Sequence, residues 1–412
     1  MTDTSSIWLP YTQMKTAPEP IEVVSTLDTR IELKDGRTLI DGIASWWTAA
    51  HGYNHPYIVE KVQEQLEQMP HVMLGGLVHN PIKKLTSRIA AMLPGSLNKC
   101  FVAESGSVSV EVGMKMCLQY YLNRGVKGRS KFVHFRDGYH GDTLGTMGIC
   151  DPDEGMHSLF GDALVDNYLQ ELPRTAEEAN QFAEWLLKNS NQIAGVITEP
   201  LVQGAGGMVF HEPETLQWIR KACDQAGVLM IVDEIFTGFG RTGTMFAIDQ
   251  AGIIPDVVTL SKALTGGFVP LSIAVAREEI FESFYSDDPM KALMHGPTYM
   301  GHALGCAAAN ASLDLFQEND CLSAVAQINM QLGYELEKCR EVACVKDVRT
   351  LGAIGVVQTH EGFDVQELKP KFIDAGVWVR PFRDIVYLTP AYTITPDDLT
   401  QLTESIYSVL ST

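Results

Sequence analysis

The sequence predicts an α/β protein: a large domain built on a mostly parallel sheet, followed by a smaller α+β domain. Two observations carry this. Between residues 100 and 262, short apolar, β-branched runs (CFVA at 100–103, KFVHF at 131–135, IAGVIT at 193–198, VLMIV at 228–232, DVVTL at 256–260) alternate with helical stretches. Runs that are apolar throughout belong to strands covered on both faces, as βαβ units require. After about residue 318 the texture changes to an amphipathic helix over 322–339, a strand-like stretch over 345–359 and a final helix over 397–410.

Nothing in the chain marks a sharp boundary, because no repeat and no Pro/Gly/Ser linker interrupts it. The expected division is therefore soft: an N-terminal segment over 1–45 packing on the small domain, a large domain over 46–318 and a small domain over 319–412. Within the first segment, residues 21–41 read as a hairpin around Asp35-Gly36.

Composition narrows the function. The 412 residues are 45% hydrophobic and 20% charged, as in ordinary globular proteins. With 51 acidic against 31 basic residues the net charge is −20, a field that repels phosphate backbones and anionic membranes, so no nucleic-acid or membrane partner is expected. No apolar run reaches the ~18 residues of a bilayer span, and the start lacks the basic and apolar regions of a signal peptide, which points to the cytoplasm. Eight scattered cysteines without a CxxC pair read as reduced thiols, and the histidines lack metal-ligand spacing, so no metal is assigned.

In parallel sheets ligands bind beyond the carboxyl ends of the strands, so the polar residues that end the apolar runs should converge on one crevice. Lys262 ends one run and is followed by Thr265, Gly266 and Gly267, which allow close backbone approach. A desolvated lysine loses proton affinity and becomes a usable nucleophile, although most lysines just past a strand are simply surface residues. Asp233 ends the most apolar run, where an unpaired carboxylate is costly. A pyridinium nitrogen is one cationic partner for it, and a capping role or an ordinary ion pair is an equal alternative. Ser105-Gly106-Ser107 opens a helix directly after a strand, which suits either a phosphate cradle or a plain N-cap. Tyr139, after the 131–135 run, could stack on a flat ring or simply pack. The GxGxxG match at 238–243 lacks its context: residues 233–237 separate it from the strand and no long helix follows, so it reads as a glycine-rich loop.

Taken together, ESGSVSVEVGMKM, GYHGDT, EPLVQGAGG at 199–207, VDEIFTGFGRTG and SKALTGG, with Lys262 placed 29 residues after Asp233, resemble the class III aminotransferases of pyridoxal phosphate fold type I, the aspartate aminotransferase-like fold. The resemblance runs from Trp8 nearly to the C-terminus. It implies a transaminase using pyridoxal 5'-phosphate, with Lys262, Asp233 and Tyr139 as catalytic residues. It also implies cofactor contacts from Gly106 and Ser107, and from Thr298 of a second subunit, hence a homodimer.

IWLPYTQM, ASWWTAAHGYNHP, MHGPTYMGH and GVWVRPF further resemble the members of that family that serve biotin biosynthesis. These pass an amino group from S-adenosylmethionine to 7-keto-8-aminopelargonate in a ping-pong reaction giving 7,8-diaminopelargonate. The implied substrate contacts are Tyr11, Trp46, Trp47, Asp142, Gly296, Arg380 and Tyr387. A guanidinium at Arg380 is physically sensible, since an anionic substrate approaching an acidic protein needs a local fork for its carboxylate. An ω-amino acid aminotransferase using pyruvate or 2-oxoglutarate, and a non-catalytic pyridoxal-binding protein, stay open. Glu104, Ser109, Gly113, His302, Arg383 and Asp384 depart from the family pattern.

Overall fold

The computed structural model describes residues 6–153, 155–360 and 364–412. Its largest sheet has seven strands in the order Leu97–Ala103, Ser272–Arg277, Val257–Leu260, Leu229–Asp233, Ile193–Thr198, Lys131–Phe135 and Tyr168–Gln170. Only Ser272–Arg277 runs antiparallel to its neighbours. Every residue of Ile193–Thr198 and Leu229–Asp233 is buried, the two-sided burial expected of uniformly apolar runs.

Helix Gly106–Asn123 packs against this sheet. Gly113 lies where helix and sheet meet: a Cβ there would stand 3.3 Å from Val257 Cγ1, a tight contact. The departure from alanine thus goes with close packing, whatever helix propensity it gives up, about 1 kcal/mol. Ser109 turns its hydroxyl onto the Gly106 carbonyl at 2.8 Å.

Beyond residue 320, helices Cys321–Leu336 and Pro396–Leu410 flank an antiparallel sheet of Val345–Leu351, Ile354–Thr359 and Ile385–Leu388. Two expectations are corrected here. The strand-like 345–359 stretch is a hairpin, turned at Gly352 (φ +56°), where a Cβ would strike the Arg241 carbonyl at 2.4 Å. The helix expected to reach residue 339 ends at Leu336 and passes into a 3-10 turn, Glu337–Glu341.

Near the N-terminus the expected hairpin is part of a three-strand meander, Val23–Leu27, Arg30–Leu33 and Thr38–Asp41. Its last strand pairs in parallel with Val377–Trp378, and Arg30 bridges Asp398 at 2.7 Å.

The glycine-rich 238–243 loop is structural, and its residues 238–242 are buried. Arg241, only 1% exposed, donates to the carbonyls of Ala353 (3.2 Å) and Pro390 (2.8 Å) and lies 4.7 Å over the Tyr392 ring. Tyr392 returns a hydrogen bond from its hydroxyl to the Phe239 carbonyl at 2.9 Å. The loop therefore ties the large sheet's side of the molecule to the C-terminal strands.

Candidate active site

Five strand ends feed one cavity of about 200 Å³, whose lining includes Gly106, Ser107, Tyr139, Asp233 and Lys262. Lys262 follows the Val257–Leu260 strand with φ +48° and starts the short turn Lys262–Thr265. Its amine stands 4.6 Å over the Trp47 ring, the residue is half-buried, and desolvation lowers its proton affinity against the opposing pull of Asp233, Glu199 and Asp142.

Asp233 closes its strand in the sheet interior. One carboxylate oxygen takes the Ile235 N–H (3.1 Å) and the Thr259 hydroxyl (3.2 Å); the other faces His140 Nδ1 at 2.8 Å. Sequence reasoning gives His140 no place in the site. The available signal is its position beside Tyr139 in GYHGDT, outweighed by the frequency of purely structural histidines. Glu199, another strand-end residue, accepts the N–H groups of Tyr139 (3.0 Å) and Gly204 (2.9 Å), and burial raises its carboxyl to about 7.

Helix Gly106–Asn123 opens into the cavity. Ser105 caps it by accepting the Val108 N–H at 3.4 Å, which leaves the amides of the first turn directed at the helix mouth. Gly141 (φ +127°) makes the close approach there possible, since a Cβ would overlap Ser107 Oγ at 2.0 Å. Cap and anion cradle are therefore compatible: Ser105 serves the first, which leaves Gly106 and Ser107 for the second.

Aromatic and charged groups adjoin Tyr139 and Trp47 of the cavity's lining. Tyr139 donates to Asp142 at 2.9 Å, and Tyr11 donates to the other oxygen of the same carboxylate. Burial and Asp142 together push the Tyr11 phenol up to about 12. Arg380 lies 4.5 Å over the Trp46 ring, and no carboxylate pairs with it among the described residues. Trp47 packs on Phe236 with ring centroids 4.3 Å apart and faces Tyr387 at 6.3 Å. Tyr387 is buried, its phenol pushed up to about 12.

Gly296 and Thr298 stand apart, exposed and absent from the cavity's lining; the Thr298 carbonyl is held by His71 at 3.2 Å. The departures Arg383, Asp384 and His302 bind other parts of the chain: Arg383 donates to the Gly206 carbonyl (2.6 Å), Asp384 accepts from Gln358 (2.7 Å), and His302 accepts the Gly305 N–H (3.3 Å). A larger cleft of about 560 Å³, lined by Phe101, Phe281 and Leu293 among others, has a single lysine, Lys99, already paired with Glu278 at 2.9 Å.

A helix mouth suited to an anion, a buried carboxylate and a half-buried lysine around one cavity fit a flat phosphorylated pyridine. The family model for aminotransferase class-III matches residues 11–410. The chain belongs to the class-III aminotransferases. Over 416 residues this aminotransferase is 38% identical to the adenosylmethionine-8-amino-7-oxononanoate aminotransferase of Buchnera aphidicola subsp. Acyrthosiphon pisum (strain APS), spanning 99% of this chain and 97% of the relative. The crystal structure of the enzyme of that name from Methanocaldococcus jannaschii DSM 2661 superposes with a TM-score of 0.95 at 30% identity, over 98% of this chain and 97% of the other. An amine transaminase from an uncultivated Pseudomonas species, in its PLP-bound form, gives 0.91 at 26% identity over 98% of both chains. This aminotransferase is an enzyme of fold type I, and pyridoxal phosphate is its cofactor.

Proposed function

We propose that this aminotransferase transfers the amino group of S-adenosylmethionine to 7-keto-8-aminopelargonate, giving 7,8-diaminopelargonate for biotin synthesis. The names carried by its relatives over nearly their whole length support the reading. The observation in this chain that carries it is the cluster of aromatic and charged groups that adjoins Tyr139 and Trp47 of the cavity's lining. Arg380, without a carboxylate partner among the described residues, lies on Trp46 and offers a fork for a substrate carboxylate, while Asp142 with Tyr11 presents a negative site suited to a cationic group.

Bound pyridoxal phosphate supplies an electron sink that acidifies the carbon carrying the amine. The chain does the rest. Lys262 would anchor the cofactor, and its lowered proton affinity would keep the freed amine neutral and so available to take a proton from that carbon and pass it to the cofactor's own carbon. Asp233, steadied by His140, would provide a negative charge for the ring nitrogen. Tyr139, fixed at its N–H by Glu199 and at its hydroxyl by Asp142, would pack against the ring. Gly106 and Ser107 would hold the phosphate. Donor and acceptor use the same cavity in turn, so both half-reactions depend on Lys262.

The reading includes a homodimer, in which Gly296 and Thr298 serve the partner's cavity; their exposure away from their own cavity supports this. It also includes a cytoplasmic location and the division of the chain into 1–45, 46–318 and 319–412. No helix among the described residues is long and apolar enough to cross a membrane. Steady-state assays with S-adenosylmethionine against simple ω-amines, and with 7-keto-8-aminopelargonate against pyruvate and 2-oxoglutarate, test the choice of substrates. Preference for ω-amine and pyruvate would replace this reading by that of an ω-amino acid aminotransferase.

A further inference from the structure

Four consecutive residues without a glycine among them, Ala44, Ser45, Trp46 and Trp47, have φ of +46°, +50°, +55° and +74°. With ψ of 56° at Ser45 and 50° at Trp46, the turn Ala44–Trp47 is left-handed helical. Side-chain-bearing residues visit this region singly and at an energetic cost, so a run of four needs an external hold.

Asp41 provides one. It closes the strand Thr38–Asp41 and is 2% exposed. One carboxylate oxygen accepts the Ile43 N–H at 2.8 Å; the other accepts the Ser45 N–H at 2.8 Å and the Tyr53 hydroxyl at 2.6 Å. No lysine or arginine pairs with it among the described residues, so the buried charge is met by the turn and Tyr53. The base of this clasp is rigid: Asp41 N–H binds the Thr29 carbonyl at 2.8 Å, and the Gly42 carbonyl takes the Thr389 N–H at 2.7 Å.

The turn directs two neighbouring indoles to two different cations. Trp46 lies 4.5 Å beneath the Arg380 guanidinium and meets Tyr11 edge-on at 6.4 Å. Trp47 lies 4.6 Å beneath the Lys262 amine and against Phe236. We propose that Asp41 is a positioning residue for the substrate wall: its carboxylate holds the left-handed turn that brings Trp46 to Arg380 and Trp47 to Lys262. Asp41 touches neither substrate nor cofactor and acts through the turn. The proposal rests on the roles given above to Arg380, Trp46 and Lys262.

The test uses the cofactor-loaded enzyme carrying Asp41→Asn, whose amide offers one acceptor oxygen where the carboxylate has two, and the milder Tyr53→Phe. With Asp41→Asn, the KM and the calorimetric Kd for 7-keto-8-aminopelargonate should rise about tenfold, the scale of one lost charge-assisted hydrogen bond. Cofactor should stay bound, and the near-ultraviolet circular dichroism of the tryptophans should change. Tyr53→Phe should give a smaller change of the same sign.

Adding Ser45→Gly to Asp41→Asn should recover part of the affinity and of the tryptophan signal, because glycine adopts φ near +50° without strain. A purely structural role predicts instead that both half-reactions fall together with Tm and that Ser45→Gly restores neither quantity; that result, or unchanged keto-acid binding and tryptophan signal, overturns the proposal. Wild-type enzyme titrated in parallel separates the two questions: if it fails to bind 7-keto-8-aminopelargonate the substrate reading fails, while the tryptophan signal and its recovery still judge Asp41.

Discussion

His140 Nδ1 and Asp233 Oδ2 stand 2.8 Å apart with both side chains sealed from solvent, so the carboxylate ending the Leu229–Asp233 strand is held by an imidazole as well as by the Ile235 N–H and the Thr259 hydroxyl. This pairing fixes where the carboxylate sits in the cavity. Replacing His140 by Ala should lower kcat in both half-reactions by about tenfold, the scale of one hydrogen bond to a charged group, and leave each KM nearly unchanged. Single-turnover rates with each substrate check this, and an unaltered kcat would show that the imidazole has no part in setting the charge.

Lys262 is the amine facing Asp233, Glu199 and Asp142 in the cavity. Lys262→Ala should bind cofactor but leave no borohydride-trapped adduct at any lysine, as read by peptide mass spectrometry. An adduct at another position would move the anchor elsewhere.

Arg380→Ala removes the guanidinium over Trp46. The KM for the keto acid should rise by a factor equivalent to about 2 to 3 kcal/mol, the upper part of the range for hydrogen bonds to charged groups. The S-adenosylmethionine half-reaction should be spared. Equal damage to both halves, measured one substrate at a time, would contradict a fork reserved for the keto acid.

Glu234 gives a pH-dependent stability with a defined sign. Fully buried, accepting the Ile248 N–H at 2.9 Å and the Thr237 hydroxyl at 2.5 Å, its carboxyl is pushed by burial from 4.5 up to about 7. The folded chain holds this proton more tightly than the unfolded chain. The stability linked to it is therefore present in full below about pH 4.5 and lost as pH rises through about 7. Relative to wild type, Glu234→Gln should gain on the order of 3 kcal/mol between pH 4 and pH 8, because a tenfold difference in proton affinity between folded and unfolded chain is worth about 1.4 kcal/mol. Denaturant unfolding of both proteins across that range measures it, and a pH-independent difference would refute the assignment.

The strands that build the cavity are legible in the sequence because each is apolar along its whole length and stops at a polar residue: 131–135 and 193–198 have the same limits in the structure. Lys262, Asp233, Gly106, Ser107 and Tyr139 follow from where those runs end. His140 does not, since its partner lies 93 positions away and an isolated histidine has no periodic signature. The left-handed turn is equally hidden. Positive φ is ordinarily announced by Gly, Asn or Asp, and Ala-Ser-Trp-Trp announces nothing; its hold comes from a carboxylate placed just before it and a hydroxyl twelve positions beyond that carboxylate. The 345–359 stretch reads as continuous because Leu351 and Ile354 are both apolar, while the turn between them is set by Gly352 closing on the Arg241 carbonyl, a long-range contact.

The most direct measurement follows the absorption spectrum of the cofactor-loaded enzyme while S-adenosylmethionine is added with no keto acid present. The expected result is full conversion of the lysine-bound band to that of the aminated cofactor, reversed on adding 7-keto-8-aminopelargonate. A lysine-bound band that ignores S-adenosylmethionine and responds to a simple ω-amine would contradict the proposed donor and leave the chain an aminotransferase of different specificity.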